Sequence, residues 1–257
     1  MKAKVKSRIR GCIQGFFKNK TVKTSHVLDR LFPAERRVRS LIGGLETSLG
    51  TVWQAVAEGL AESNGFELRE KELLRPSPFP KKLSQELYRL KHLRENKESW
   101  IPMLECVESL KEVIINIDRS NLTYAPPPRG KGIDVCFFKH GTEYIFDTKT
   151  NQINQRGGLD LNLQLLEWYS FKLCKNPLVE VEARIAFPFN PYSSDWWKNQ
   201  GSRVYPLTKD EGTAWVENEF WDFCSGHTNT WKKILEIFDE LGKEDFAQQF
   251  NSVFYLK

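Results

Sequence analysis

Along the first half of the chain, apolar residues recur at intervals of three and four; near its middle the interval drops to two. The first spacing marks one face of a helix and the second a strand. Val5, Ile9, Ile13 and Phe16 predict a short N-terminal helix. After the turn at Phe32 and Pro33, a stripe of Val38, Leu41, Ile42, Leu45, Leu49, Val52, Val56 and Leu60 predicts a long helix over about 35–63, stopped by Asn64 and Gly65. Glu46 stands at the edge of that stripe, where a side chain is half-buried, flanked by Gly43, Gly44 and Gly50. Each glycine weakens a helix by up to about 1 kcal/mol, so three invite an explanation, either close approach of another backbone or of DNA, or tight helix packing. Leu83–Arg94 and Ser99–Ile117 predict two further helices, the second begun by Ser99 with Pro102 in its first turn, and neither carrying chemistry. The proline-rich stretches Arg75–Pro80 and Ala125–Lys131 are stiff connectors.

The period-2 stretch runs from Gly132 to Thr150. Val135–Phe138 and Tyr144–Phe146 read as strands, with His140 and Gly141 at a tight turn. A two-residue turn sets Lys139 opposite Thr142 and, counting back, Asp134 opposite Asp147. Alternation then points Asp147 and Lys149 the same way. A polar loop over 151–158 follows, then a helix over about 160–174 whose buried face is Leu163, Leu166, Tyr169 or Ser170, and Leu173. Gln164 and Trp168 share one row of it. Residues 179–187 alternate into a third strand, and strand–helix–strand order makes it parallel to the Asp147 strand. Aromatic and polar residues fill 188–226, and the last helices read as core cover. The fold class is therefore α/β, a central mixed sheet flanked by helices with a helical N-terminal part. Residues 1–125 form that helical region and 126–257 the core, as one compact domain overall.

Composition narrows the chemistry. The five cysteines are scattered, none in a CxxC, and the four histidines are dispersed. That argues for reduced cytoplasmic thiols and against a disulfide framework or a structural zinc. No apolar run is long enough to span a membrane. The net charge of +5 is concentrated at the start, where Lys2, Lys4, Lys6, Arg8, Arg10, Lys18, Lys20 and Lys23 all precede the first acidic residue, Asp29. Such an end suits contact with DNA phosphates; a soluble tail or a targeting segment has the same composition.

Like charges opposed across a hairpin destabilise it, and a divalent cation between Asp134 and Asp147 removes the objection. Two carboxylates with the Thr148 carbonyl are oxygen ligands suited to Mg²⁺, and Lys149 beside them adds a positive charge. Together they suit phosphodiester hydrolysis, in which a metal acidifies water and neutralises charge on the phosphorane-like transition state. Gln164 is placed to hold a phosphate or orient water, although a solvent-facing glutamine fits the pattern equally. Glu46 is placed to add a carboxylate. Asn190, Ser193, Asp195, Lys198, Asn199, Gln200 and Arg203 crowd one loop with the side-chain types that read guanine and adenine edges. Arg156 joins them as a DNA contact. An ordinary polar loop shares that composition.

With these residues in hand, Ile133-Asp134, the Asp147-Thr148-Lys149 triplet and Gln164 resemble the PD-(D/E)XK nuclease superfamily, with Ile133 where its proline usually stands. GIDVCFFKHGTEYIFDTKT, LQLLEWY, EARIAFPFNP and AWVENEFWDF look like the type II restriction endonucleases of the TdeIII group, over about Glu35 to Gly226. The resemblance implies a Mg²⁺-dependent homodimer cutting both strands of duplex DNA at a short palindrome of the GGNCC type and leaving 5′-phosphates. It also implies that Asp134 and Asp147 bind the metal, that Lys149 orients or deprotonates the attacking water, and that Glu46 joins the site. A modification methyltransferase is the implied genetic partner. Two rivals are a structure-reading repair or junction-resolving nuclease of the same fold, and a DNA-binding module with structural carboxylates.

Overall fold

The computed structural model describes residues 2–18, 20, 30–150 and 152–254, so Lys23 and Asp29 lie outside the described residues. In chain order the elements are α1 (Lys2–Phe17), α2 (Pro33–Ser63), β1 (Glu67–Leu68), β2 (Arg75–Ser77), α3 (Lys81–Glu95), α4 (Met103–Ile115), β3 (Thr123–Ala125), β4 (Val135–Lys139) and β5 (Thr142–Thr148). They continue as α5 (Gln155–Lys175), β6 (Glu180–Phe187), α6 (Trp196–Val204), β7 (Ala214–Val216), α7 (Asn218–Ser225) and α8 (Thr230–Lys243). The chain forms two compact units, one of Gly65–Phe220 and one joining Met1–Asn64 to Trp221–Lys257. The second unit thus groups the two leading helices with the C-terminal ones.

In the larger unit a five-stranded sheet has the order β1-β4-β5-β6-β7. It is mixed: β5 is antiparallel to β4 and parallel to β6, and β6 is parallel to β7. The hairpin has the predicted register, with Lys139 opposite Thr142 and Val135 opposite Phe146. Its turn uses positive φ at His140 (53°) and Gly141 (89°), the type I′ pattern that matches strand twist. Short strands β2 and β3 pair separately, giving the connector at Arg75–Ser77 a ladder partner.

Helix α5 runs across one face of this sheet and is buried nearly all round, at Leu161, Asn162, Gln164, Leu165, Leu166, Trp168, Tyr169, Phe171 and Leu173 among others. The predicted one-sided stripe is corrected here; Leu163 is one of its less buried positions. The helix also starts earlier than expected, at Gln155, because the Asn154 side chain caps the Gly157 N–H at 2.8 Å. Gly158 then lies against α6: a Cβ there would sit 2.3 Å from the Arg203 carbonyl oxygen. Helix α4 starts later than expected, with Pro102 as its N-cap in place of Ser99.

In the smaller unit the basic face of α1 is paired with acids of α2, of α8 and of the α8 C-cap, Glu244. Lys4 and Arg8 meet Glu62, Arg8 also approaches Glu58, Lys2 and Lys6 meet Glu240, and Lys6 and Arg10 meet Glu244. The cluster expected to offer charge to phosphates is largely spent on holding the helix down. Among the described residues no helix is long and apolar enough to cross a membrane.

Candidate active site

Strands β5, β6 and β7 run the same way, so Asp147, Ile185 and Ala214 lie in one row, close to the C-terminal ends of β5 and β6 and at the start of β7. The sheet rim beyond that row carries the chemistry. Alternation along β5 points Ile145, Asp147 and Lys149 towards α5, and α5 reaches back with Gln164. The Gln164 Nε2 donates to Asp147 Oδ2 at 2.7 Å, and Lys149 Nζ stands 2.6 Å from the same oxygen. The structure thus brings these three residues together. Gln164, for which a solvent-facing position was the competing reading, is buried.

Asp134 behaves differently from the simple pairing. The ladder ends at Val135 and Phe146, and the Asp134 N–H bonds the Phe146 carbonyl at 2.8 Å, one position out of step with it. From there the Asp134 carboxylate turns to Thr148, whose N–H and hydroxyl both donate to Oδ2, at 2.8 and 2.7 Å. In an extended strand a residue's N–H and C=O point the same way, so the Thr148 carbonyl is directed to the Asp134 side as well.

Burial pushes the Asp147 carboxyl above its ordinary range, and the neighbouring Asp134 charge adds to the rise; the Lys149 ammonium and the Gln164 amide oppose it. A buried carboxylate beside another carboxylate is the electrostatic setting that a cation relieves. Each carboxylate has Oδ2 engaged by protein donors, while Oδ1 has no partner among the described residues. This donor set of hard oxygens fits a divalent cation that retains water ligands. Among the described residues there is no group of three His, Cys, Asp or Glu side chains placed to hold a metal, so any remaining ligands would be the Thr148 carbonyl, water or substrate oxygens.

Glu46 lies on α2 in the other unit, and its side chain is exposed, which corrects the half-buried position expected from the stripe edge. The residues assigned to a recognition loop fall largely on a helix: Lys198, Asn199, Gln200 and Arg203 belong to α6, begun by Asp195, whose side chain caps the Lys198 N–H. Lys198 and Arg203 are exposed, as are Ser193 and, in the first turn of α5, Arg156. Asn190 and Asn199 brace the preceding turn through Ser194 and Asp195. Gln200 is fully buried and donates to the Tyr192 hydroxyl, so it shapes this region from inside.

Sequence reasoning missed one buried polar cluster that supports the site. Arg94 of α3 is fully buried and donates to Asn162 Oδ1 (2.7 Å), the Ile101 carbonyl (2.9 Å), the Pro206 carbonyl (3.3 Å) and both oxygens of Glu211 (2.7 and 2.9 Å). It ties α5, two residues before Gln164, to α3 and to the loop leading into β7. The signal was available: Leu83, Leu87, Leu90 and Arg94 continue one stripe at helical spacing.

Comparison with known proteins accords with this geometry. The sequence model of the type II restriction endonuclease HinfI matches residues 1–242. The type II restriction enzyme MjaII of Methanocaldococcus jannaschii is 26% identical over 131 residues, which cover 47% of this chain and 35% of that enzyme. The match thus spans about a third of that relative's length.

Proposed function

We propose that this chain, which belongs to the HinfI family of type II restriction endonucleases, cuts double-stranded DNA at a short palindrome by divalent-metal-dependent hydrolysis. The observation that carries the reading is the meeting of Asp147, Lys149 and Gln164 within 2.7 Å contacts at the sheet rim, beside Asp134 and Thr148. The same residues support placing the chain in the PD-(D/E)XK superfamily, and the longer sequence blocks around them carry the resemblance to the TdeIII group.

In this reading Asp134 and Asp147 hold Mg²⁺ through the oxygens left without protein donors, with the Thr148 carbonyl as a further ligand. The metal supplies acidified water and charge neutralisation at the scissile phosphate. Gln164 keeps Asp147 in place. Lys149 orients the attacking water, and its positive charge favours the phosphorane-like transition state over the ground state. Lys198, Arg203, Arg156 and Ser193 contact DNA from α6, the first turn of α5 and the turn between them. The helices carrying Arg156 and Arg203 touch at Gly158, which groups those cations.

The finer expectations rest on the resemblance. They are a GGNCC-type site, 5′-phosphate ends, a homodimer whose symmetry mirrors the palindrome, and a partner methyltransferase protecting the host. The test is a plasmid digest with Mg²⁺ by the intact protein, Asp147→Ala and Lys149→Ala, with fragment ends sequenced. Discrete fragments lost in both variants support the reading, and their ends give the site and the overhang. A smear lost in both points to a nuclease that reads structure. DNA binding without cutting leaves only the binding module.

A further inference from the structure

We propose that the Thr148 side chain is a positioning residue, fixing the Asp134 carboxylate so that one chosen oxygen is offered to the metal. This rests on the reading above, in which Asp134 is a ligand, and adds a role for a hydroxyl that the reading does not use. Thr148 sits at the end of β5 and is buried. Its N–H and Oγ1 both donate to the same oxygen of Asp134, at 2.8 and 2.7 Å. Two donors from one residue fix a carboxylate in position and in rotation, where one would leave it free to swing.

The backbone half of this grip is available to any residue except proline. The hydroxyl half depends on the residue type. At a buried strand position a valine satisfies the same strand preference without bringing a hydroxyl into the interior, where it needs a hydrogen-bond partner. Here the partner is the carboxylate itself. Asp147 is treated alike: Gln164 and Lys149 converge on its Oδ2, so each acid has one oxygen held by protein donors and one without a partner among the described residues. Ligating carboxylates are characteristically held this way by hydrogen-bonded neighbours, and loss of such a neighbour costs about 10- to 100-fold in metal affinity or activity.

Thr148→Val removes the hydroxyl and keeps the shape, Thr148→Ser keeps the hydroxyl, and both retain the backbone N–H and the carbonyl. Thr148→Ala serves where valine disturbs the packing. Binding of Mn²⁺ to the full-length protein without DNA is measured by calorimetry or by loss of the free-ion electron paramagnetic signal. Cleavage kinetics follow on the same samples. The expected result is Mn²⁺ binding weakened about tenfold in Thr148→Val, wild-type binding in Thr148→Ser, and a lower kcat with unchanged KM for DNA. Wild-type binding by Thr148→Val, or equal weakening in the valine and serine variants, overturns the role of the hydroxyl. An Asp134→Ala control separates the two levels. If it loses the ion while Thr148→Val does not, Asp134 is a ligand and the positioning role fails. If Asp134→Ala binds Mn²⁺ as tightly as wild type, the metal-site reading itself fails.

Discussion

Replacing Arg94 with methionine removes the central cation of a buried network and leaves Glu211 without its counter-charge. Among the described residues the Glu211 side chain retains only the Met103 N–H and the Thr213 hydroxyl as donors, Asn162 loses its 2.7 Å partner, and the Ile101 and Pro206 carbonyls each lose a donor. Breaking a buried pair by removing one partner costs about 3–5 kcal/mol, because an uncompensated charge remains in the interior. At about 2–4 °C per kcal/mol for a chain of this size, the melting temperature falls by about 6–20 °C. The double variant Arg94→Met/Glu211→Leu removes the stranded charge, and buried ion pairs exchanged for apolar residues are often near neutral. It is therefore expected to recover a large part of the loss. Thermal and urea denaturation of the two single variants and the double variant form the cycle. A single-variant cost below about 1 kcal/mol, or a double variant as unstable as the sum of the singles, refutes the claim that this network holds α5 in place.

Gly158→Ala drives a Cβ against the backbone of Arg203 and Val204, atoms that cannot swing aside, and is expected to cost about 1–3 kcal/mol by denaturation. Removing Arg156, Lys198 and Arg203 together is expected to weaken binding to all duplexes alike and to lower the salt slope by about 0.9 per lost phosphate contact, read by binding titrations across salt concentration. Burial pushes the Cys106 and Cys136 thiols up to about 11 and raises Cys174 and Cys224, so native alkylation at neutral pH, mapped by mass spectrometry, is expected to leave these four unmodified.

How far the sequence reached follows from the range of the forces involved. The β4–β5 hairpin was legible because its turn residues and period-2 pattern are local, and its register then carried Asp147 and Lys149 to one face. The long stripe of α2 was legible for the same reason. Strands β1 and β7, at two and three residues, are too short for alternation to show. The first turn of α5 was taken for a loop because Gly157 and Gly158 are helix breakers, whereas Gly158 is explained by the backbone of α6 lying against it. The turn of Asp134 to Thr148 could not be counted from the hairpin, because the ladder slips by one position there. Arg94 went unread as a buried residue because its partner Glu211 is remote in sequence.

The most direct test of the central claim is Asp147→Asn, with stability and cleavage measured on one preparation. Burial raises the folded-state carboxyl pKa, so the ionised form counts against folding. The stability contribution of the acid is present below the ordinary carboxylate range and is lost as pH rises through the folded value. The neutral amide escapes this loss. The account predicts a variant more stable than wild type at neutral pH, by about 0.5–2 kcal/mol, with no advantage in acid and no cleavage of plasmid with Mg²⁺ or Mn²⁺. Retained cleavage by Asp147→Asn contradicts it.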